Sequence, residues 1–229
     1  PKFKTVEVNE SRSCDPLIPV RWGQRSPYGD YCSNGYSGCV ATAIAQIMAY
    51  YRFPSSFTTT YTDAPHAGET IALNWTSIIS YPYVYQVPAL MREIGQRVEM
   101  TYHPIDENDM ETGSSAFSYM APDCLISFGY SCASGLASYE IASIRTNLDE
   151  THPVYVRAND ISEGGHAWIA DGYIYSRIGT EYYEEILIDN GLTLYYDYIL
   201  TNSTVQTTNL VHYNWGWNGS CDGYFAPGH

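Results

Sequence analysis

The chain has 229 residues, room for one large domain or two closely packed lobes, and its 45% hydrophobic content can bury a substantial core. A formal net charge of -14 argues against the basic surface that nucleic acid or an anionic membrane requires, and is read here as a solubility device. No apolar run approaches the length of a transmembrane helix.

Pro1-Lys2-Phe3-Lys4 lacks both a starting methionine and the apolar core of a signal peptide, so a processed or excised segment is expected. Pro16, Pro19, Pro27 and several glycines predict irregular chain over residues 1–38. The run from Cys39 to Tyr51 has apolar residues at Val40, Ala43, Ile44, Ile47, Met48 and Tyr51, the spacing of a helix with one buried stripe, stopped by Pro54. Residues 54–73 read as a Thr- and Tyr-rich loop and 74–79 as a short helical turn. Pro88 opens a helix carrying Leu90, Met91, Ile94 and Val98 on one face. Residues 103–115 read as an exposed acidic loop, and a third helix is predicted from Ser138 to Glu150.

The character changes at Pro153. Strand-like series follow at 153–157, 166–171, 184–189, 194–198 and 210–215, with Gly and Asn supplying turns. Helices first and strands second predict an α+β chain of two lobes, about 1–152 helical and about 153–229 an antiparallel sheet.

Cys39 stands at a helix N-terminus after Gly38, where free N–H groups and the helix dipole favour a thiolate, the nucleophilic form. A small buried hydrophobe is the other reading of the same position. A cysteine nucleophile needs an imidazole partner, a group that orients the imidazole, and donors for an oxyanion. Of His66, His103, His152, His166, His212 and His229, local context favours His166, which opens a strand after Gly164-Gly165, with His212 the alternative. Asn214, in Asn214-Trp215-Gly216-Trp217, offers a carbonyl for the imidazole N–H, and the adjacent indoles can exclude water. Gln24 offers a side-chain donor upstream of Cys39. The six cysteines contain no C-x-x-C pair, which disfavours zinc-ribbon and thioredoxin-type sites. Cys14–Cys32 and Cys124–Cys132 are candidate local bridges.

Gly38-Cys39-Val40-Ala41-Thr42-Ala43 running into Ala45-Gln46-Ile47-Met48, then Gly164-Gly165-His166-Ala167, then Asn214-Trp215-Gly216-Trp217 with Asp222-Gly223-Tyr224-Phe225, together resemble the streptopain family of bacterial cysteine peptidases in order and approximate separation. Weaker echoes are Trp22-Gly23-Gln24, Asn74-Trp75, Gly113-Ser114-Ser115 and Pro153-Val154-Tyr155. The resemblance implies a papain-like fold, a Cys39–His166 dyad and Gln24 in the oxyanion hole. It places Asn214, Trp215 and Trp217 around the histidine, and Gly113, Ser114, Ser115, Gly164, Gly165 and Trp217 along the substrate groove. It further implies protein substrates with a bulky apolar residue two positions before the cut bond, export as a zymogen inhibited by an N-terminal pro-segment, and no metal or organic cofactor. Four departures from the pattern are read in the sequence: the C-G-[SA]-C-[WY] signature is absent, the segment before Cys39 is short, no pro-segment of the family's kind is expected in this chain, and the sequence stops soon after Phe225.

Two rivals remain at this stage. One is another Cys-His acyltransferase or transglutaminase with Asp171 as the orienting acid. The other is a non-catalytic Tyr- and Trp-rich module that binds carbohydrate or protein.

Overall fold

The computed structural model describes residues 2–104, 113–131, 135–160 and 164–227. Where irregular chain was expected, Phe3–Cys14 forms a strand, β1. Val6 and Val8 alternate with exposed Thr5, Glu7 and Asn9, a period of two that the later prolines obscured. The prolines act only beyond Cys14, in the loop that leads to α1 (Cys39–Tyr51). Gly38 is the N-cap of α1 with φ 84°, and a Cβ there would lie 2.8 Å from the Met100 side chain. Conformation and space both require glycine at this turn. Every residue from Val40 to Ala49 is buried, so α1 is a central helix rather than one with a single buried stripe.

Residues 54–73, expected as loop, hold a small hairpin of β2 (Ser56–Thr58) and β3 (Thr70–Ala72), strands too short for alternation to register. The predicted turn at 74–79 is α2 (Trp75–Ser80), capped by Asn74, whose side chain accepts the Ser77 N–H. α3 (Gln86–Arg97) starts two residues before Pro88, which sits in the first turn where a missing N–H is harmless. α3 packs on α1 and buries Leu90, Met91 and Ile94. β4 (Thr101–Tyr102) pairs with β5 (Ser114–Ser115), and most of the acidic loop between them lies outside the described residues. α4 (Ala121–Ser127) follows. The helix predicted from Ser138 to Glu150 is α5 (Ile141–Asp149), with Ile144 and Leu148 inward.

The sheet is antiparallel and comprises β1, β6 (Val154–Asp160), β7 (Gly164–Asp189), β8 (Leu194–Ser203), β9 (Gln206–Asn214) and β10 (Gly223–Phe225). The series at 166–171 and 184–189, expected as separate strands, belong to the single 26-residue β7. Along one edge of β7 lie first β6 and then β1, and along the other first β9 and then β8. Pairing with β9 shifts register between Ala170 and Gly172, leaving Asp171 as the extra residue of a bulge.

The near end of β7 lies between two packed layers. Ala167 and Ile169 join the core built on α1 and α3, while Trp168 and Ala170 join a second core with Ile144 and Leu148 of α5. That alternation is the period-two geometry of a strand covered on both faces.

The proposed Cys14–Cys32 bridge is not formed. The Cys14 thiol points to the Leu148 carbonyl, and burial pushes the Cys32 thiol up to about 11. Cys132, the expected partner of Cys124, lies outside the described residues.

Candidate active site

Cys39 is the first residue of α1, and it packs, partly buried, against the core that contains Ala167 of β7. Burial pushes its thiol above the usual range, while the N–H groups of Ala167, Val40 and Cys39 itself act the other way. Two of these donors belong to the first turn of the helix, where N–H groups have no partner within the helix. The third belongs to the residue after His166. The start of β7 is therefore laid against the first turn of α1, beside Cys39.

His166 lies among three indoles. Its ring centroid is 4.8 Å from Trp217, 5.9 Å from Trp168 and 6.1 Å from Trp215. Burial holds its pKa below the ordinary imidazole value, against the pull of one hydrogen bond. That bond joins Nε2 to the backbone carbonyl of Trp215 at 3.0 Å. A carbonyl can only accept, so Nε2 carries the proton and, in the neutral ring, Nδ1 presents the lone pair. Burial thus works against the charged form of each group, and the Trp215 bond fixes which ring nitrogen is free.

The structure does not bring the Asn214 side chain to His166. Asn214 Oδ1 accepts from Gln46 Nε2 at 3.0 Å and from the Gly216 N–H at 3.2 Å, and Nδ2 donates to the Val20 carbonyl at 3.0 Å. Neighbouring residues of a strand point to opposite faces, and the Trp215 carbonyl takes the position expected for the amide. Gln46, buried in α1, also accepts the Trp22 N–H at 3.1 Å through Oε1. This clasp joins α1, β9 and the loop before α1, and sequence reasoning missed its Gln46 half. The available signal was a polar side chain inside an otherwise apolar helix.

The loop bearing Gln24 is tied to the approach to α1. The Gln24 carbonyl accepts the Ser37 N–H at 2.8 Å, and Thr42 Oγ1 donates to the Gly23 carbonyl at 3.3 Å. Gln24 borders a cleft of about 280 Å³ with Arg25, Tyr36, Gly216, Trp217 and Asn218. Ser114 reaches the same region, since its Cβ lies 3.2 Å from where a Gly38 Cβ would sit and its hydroxyl donates to the Tyr36 carbonyl at 2.7 Å. Asn34 Nδ2 holds the Gly113 carbonyl at 3.2 Å, whereas the Ser115 hydroxyl is paired with His103 Nε2 at 2.8 Å. Gly164 has φ 83° with open space around it, and a Cβ on Gly165 would lie 2.7 Å from the Asn159 side chain.

The other histidines are engaged elsewhere. His66 Nδ1 pairs with Glu69 at 2.8 Å, and His152 Nδ1 lies 3.7 Å from Glu150. His229 is outside the described residues. His212 Nδ1 meets Asp171 Oδ1 at 2.6 Å, and Asp171 Oδ2 accepts the Ile18 N–H at 3.2 Å. Asp171 is thus committed to His212 and does not serve as an orienting acid for His166.

A cysteine at a helix start and an imidazole held by a main-chain carbonyl among three indoles are the residue types from which thiol hydrolases build a site. The chain belongs to the Peptidase C10 family, whose model matches residues 22–225. It is 26% identical over 254 residues to streptopain of Streptococcus pyogenes, an alignment covering 97% of this chain and 53% of that protein. It is 27% identical over 239 residues to the thiol protease/hemagglutinin PrtT of Porphyromonas gingivalis, covering 90% and 23%. The chain therefore spans about half the length of streptopain. In fold it is similar to the active wild-type interpain A cysteine protease of Prevotella intermedia, with TM-score 0.61, 24% identity and coverage of 94% and 86%. That likeness accords with the papain-like α+β class expected from the sequence.

Proposed function

We propose that the chain is the catalytic unit of an exported cysteine endopeptidase that cleaves protein substrates through Cys39 and His166. The observation that carries the reading is the packing of Cys39 against the core that contains Ala167, which sets the strand bearing His166 beside the first turn of α1. The names of the relatives, thiol protease and cysteine protease, support it.

The cycle follows from the lone pair on Nδ1. His166 takes the Cys39 proton as sulfur attacks the scissile carbonyl, and the imidazolium remains tied to Trp215 through Nε2. The Cys39 N–H and the Gln24 side chain stabilise the oxyanion. The imidazolium then protonates the leaving amine, giving a thioester on Cys39. His166 next deprotonates water, which attacks the thioester, and the proton returns to sulfur as the acid leaves.

Asn214 acts one step removed. Its Oδ1 accepts the Gly216 N–H, which belongs to the same peptide plane as the Trp215 carbonyl, so the amide sets the direction of the group that holds His166. Gly113, Ser114, Gly164, Gly165 and Trp217 line the groove in this reading, Ser115 less directly because His103 engages it, and a bulky apolar residue is preferred two positions before the cut bond. An inhibitory pro-segment in the precursor completes the proposal.

Substituting Cys39→Ala is expected to abolish peptide hydrolysis while leaving the melting temperature nearly unchanged, and retained hydrolysis would sink the reading. Gln24→Ala is expected to lower kcat by roughly 10²-fold, the scale for one oxyanion donor, in a steady-state assay.

A further inference from the structure

Trp215 holds His166 with a backbone atom, so whatever fixes the backbone of Trp215 fixes the base. Its C=O lies in the 215–216 peptide, pinned by Asn214 as described above. Its N–H lies in the preceding peptide and donates to Asp222 Oδ1 at 2.9 Å. The two planes on either side of one Cα are thereby both anchored, which fixes the φ and ψ that aim the carbonyl.

Asp222 reaches that N–H only because the chain doubles back tightly. Between the two residues, Gly216 and Gly219 have φ of 72° and 79°, and the non-glycine residues Asn218 and Cys221 have φ of 56° and 64°. Left-handed conformations at non-glycine positions are unfavourable and persist where surrounding structure demands them. The turn is also crowded. A Cβ on Gly219 would lie 2.8 Å from the Arg21 side chain, and one on Gly216 would lie 3.0 Å from that of Thr42.

The β-bulge at Asp171 turns its carboxylate onto His212 Nδ1, and His212 lies opposite Tyr224 of β10, two residues beyond Asp222. His212, Asp171 and Arg21 are all near enough to act electrostatically on Asp222. A bulge of this kind commonly re-aims a side chain beside a working site.

We propose that Asp222 is a positioning residue for His166, acting through the Trp215 N–H to hold the Trp215 carbonyl on Nε2. The inference rests on His166 being the base of the proposed cycle. What the role requires is an acceptor oxygen at one place, not a charge. Burial pushes the Asp222 carboxyl above the usual range, which accords with an acceptor whose ionisation is incidental.

The test is a substitution series in the folded enzyme, read by steady-state kinetics. Asp222→Asn keeps the Oδ1 acceptor and is expected to retain kcat within about three-fold, whereas Asp222→Ala is expected to lose about ten-fold or more with KM little changed. Asp222→Glu keeps the charge but moves the carboxylate by one methylene, and is expected to fall below Asp222→Asn. A kcat for Asp222→Glu at the wild-type level with Asp222→Asn impaired would overturn the proposal, because charge would then be what matters. Equal kcat across the series would overturn it as well. Should Asp222→Ala fail to fold, the order of the Asn and Glu variants still decides. Cys39→Ala run alongside keeps the two readings apart. Loss of hydrolysis there with a flat Asp222 series removes only the positioning role, whereas retained hydrolysis removes the cycle beneath it.

Discussion

The two ends of β7 are one strand under two sets of conditions. From Gly164 to Tyr175 it pairs first with β6 alone, is joined by β9 from Ile169, and then runs between β1 and β9, burying Ala167, Ile169, Ala170 and Tyr173 almost completely. From Ile178 onward it has β1 and β8 at its sides, none of its own residues is buried, and every residue of β8 is exposed. Backbone pairing is continuous along the whole length, so hydrogen bonding does not distinguish the ends. Side-chain packing does, and His166 lies on the end that is packed on both faces. A histidine placed at the distal end would have the same ladder but nothing to hold its ring.

This comparison predicts a steep gradient in mutational cost along one strand. Ile169→Ala, at a position with no exposure, is expected to lower unfolding free energy by about 2–5 kcal/mol in urea titration. Comparable losses at exposed distal positions would break the comparison. Next in size, Asn214→Ala would leave the Gln46 Nε2, Gly216 N–H and Val20 carbonyl groups without their partner, and is expected to cost about 1–3 kcal/mol and to lower kcat more than it raises KM. Unchanged stability in that variant would separate the clasp from the packing of the near end.

A smaller effect follows from His166. Its folded pKa lies below the reference value of 6.5, chiefly through burial. Below that value the unfolded chain takes up a proton that the folded chain resists, so this contribution to stability is complete above 6.5 and is lost as pH falls toward the folded value. His166→Gln is therefore expected to lose less melting temperature than the wild type between about pH 8 and about pH 5, by calorimetry at fixed ionic strength. The smallest effect belongs to the distal end. Leu187→Ala, 54% exposed, is expected to change stability by no more than about 0.5 kcal/mol.

What the sequence disclosed sorts along the same line. α1, α3 and the strand opening at His166 were legible because apolar periodicity and a Gly-Gly entry are local signals. β7 as one strand was not, since Gly172 and Gly179 read as breaks. In the structure Gly172 follows the bulge where a Cβ would lie 2.9 Å from the Cys14 carbonyl, and Gly179 sits where one would lie 2.6 Å from Val205. Both glycines mark close approach of another chain segment, a fact about distant residues. β1 was hidden for a similar reason, because its half-buried valines gain cover only from a strand more than 160 residues away in sequence. At the site, residue types predicted Cys39 and His166, but the chemistry assigned to Asn214 passed to a main-chain oxygen. No side chain announces a carbonyl, and the amide that looked suited to the task serves the peptide beside it.

The bond from His166 to the Trp215 carbonyl has a consequence for heredity. An orienting group made of main chain is present whatever amino acid stands at position 215, so no substitution there can delete it. A scan of side chains at that position reads the indole and stays blind to the oxygen beside it. Semisynthesis can reach what genetics cannot. Replacing the 215–216 amide with an ester would weaken the carbonyl as an acceptor and, in the same stroke, remove the Gly216 N–H that Asn214 holds.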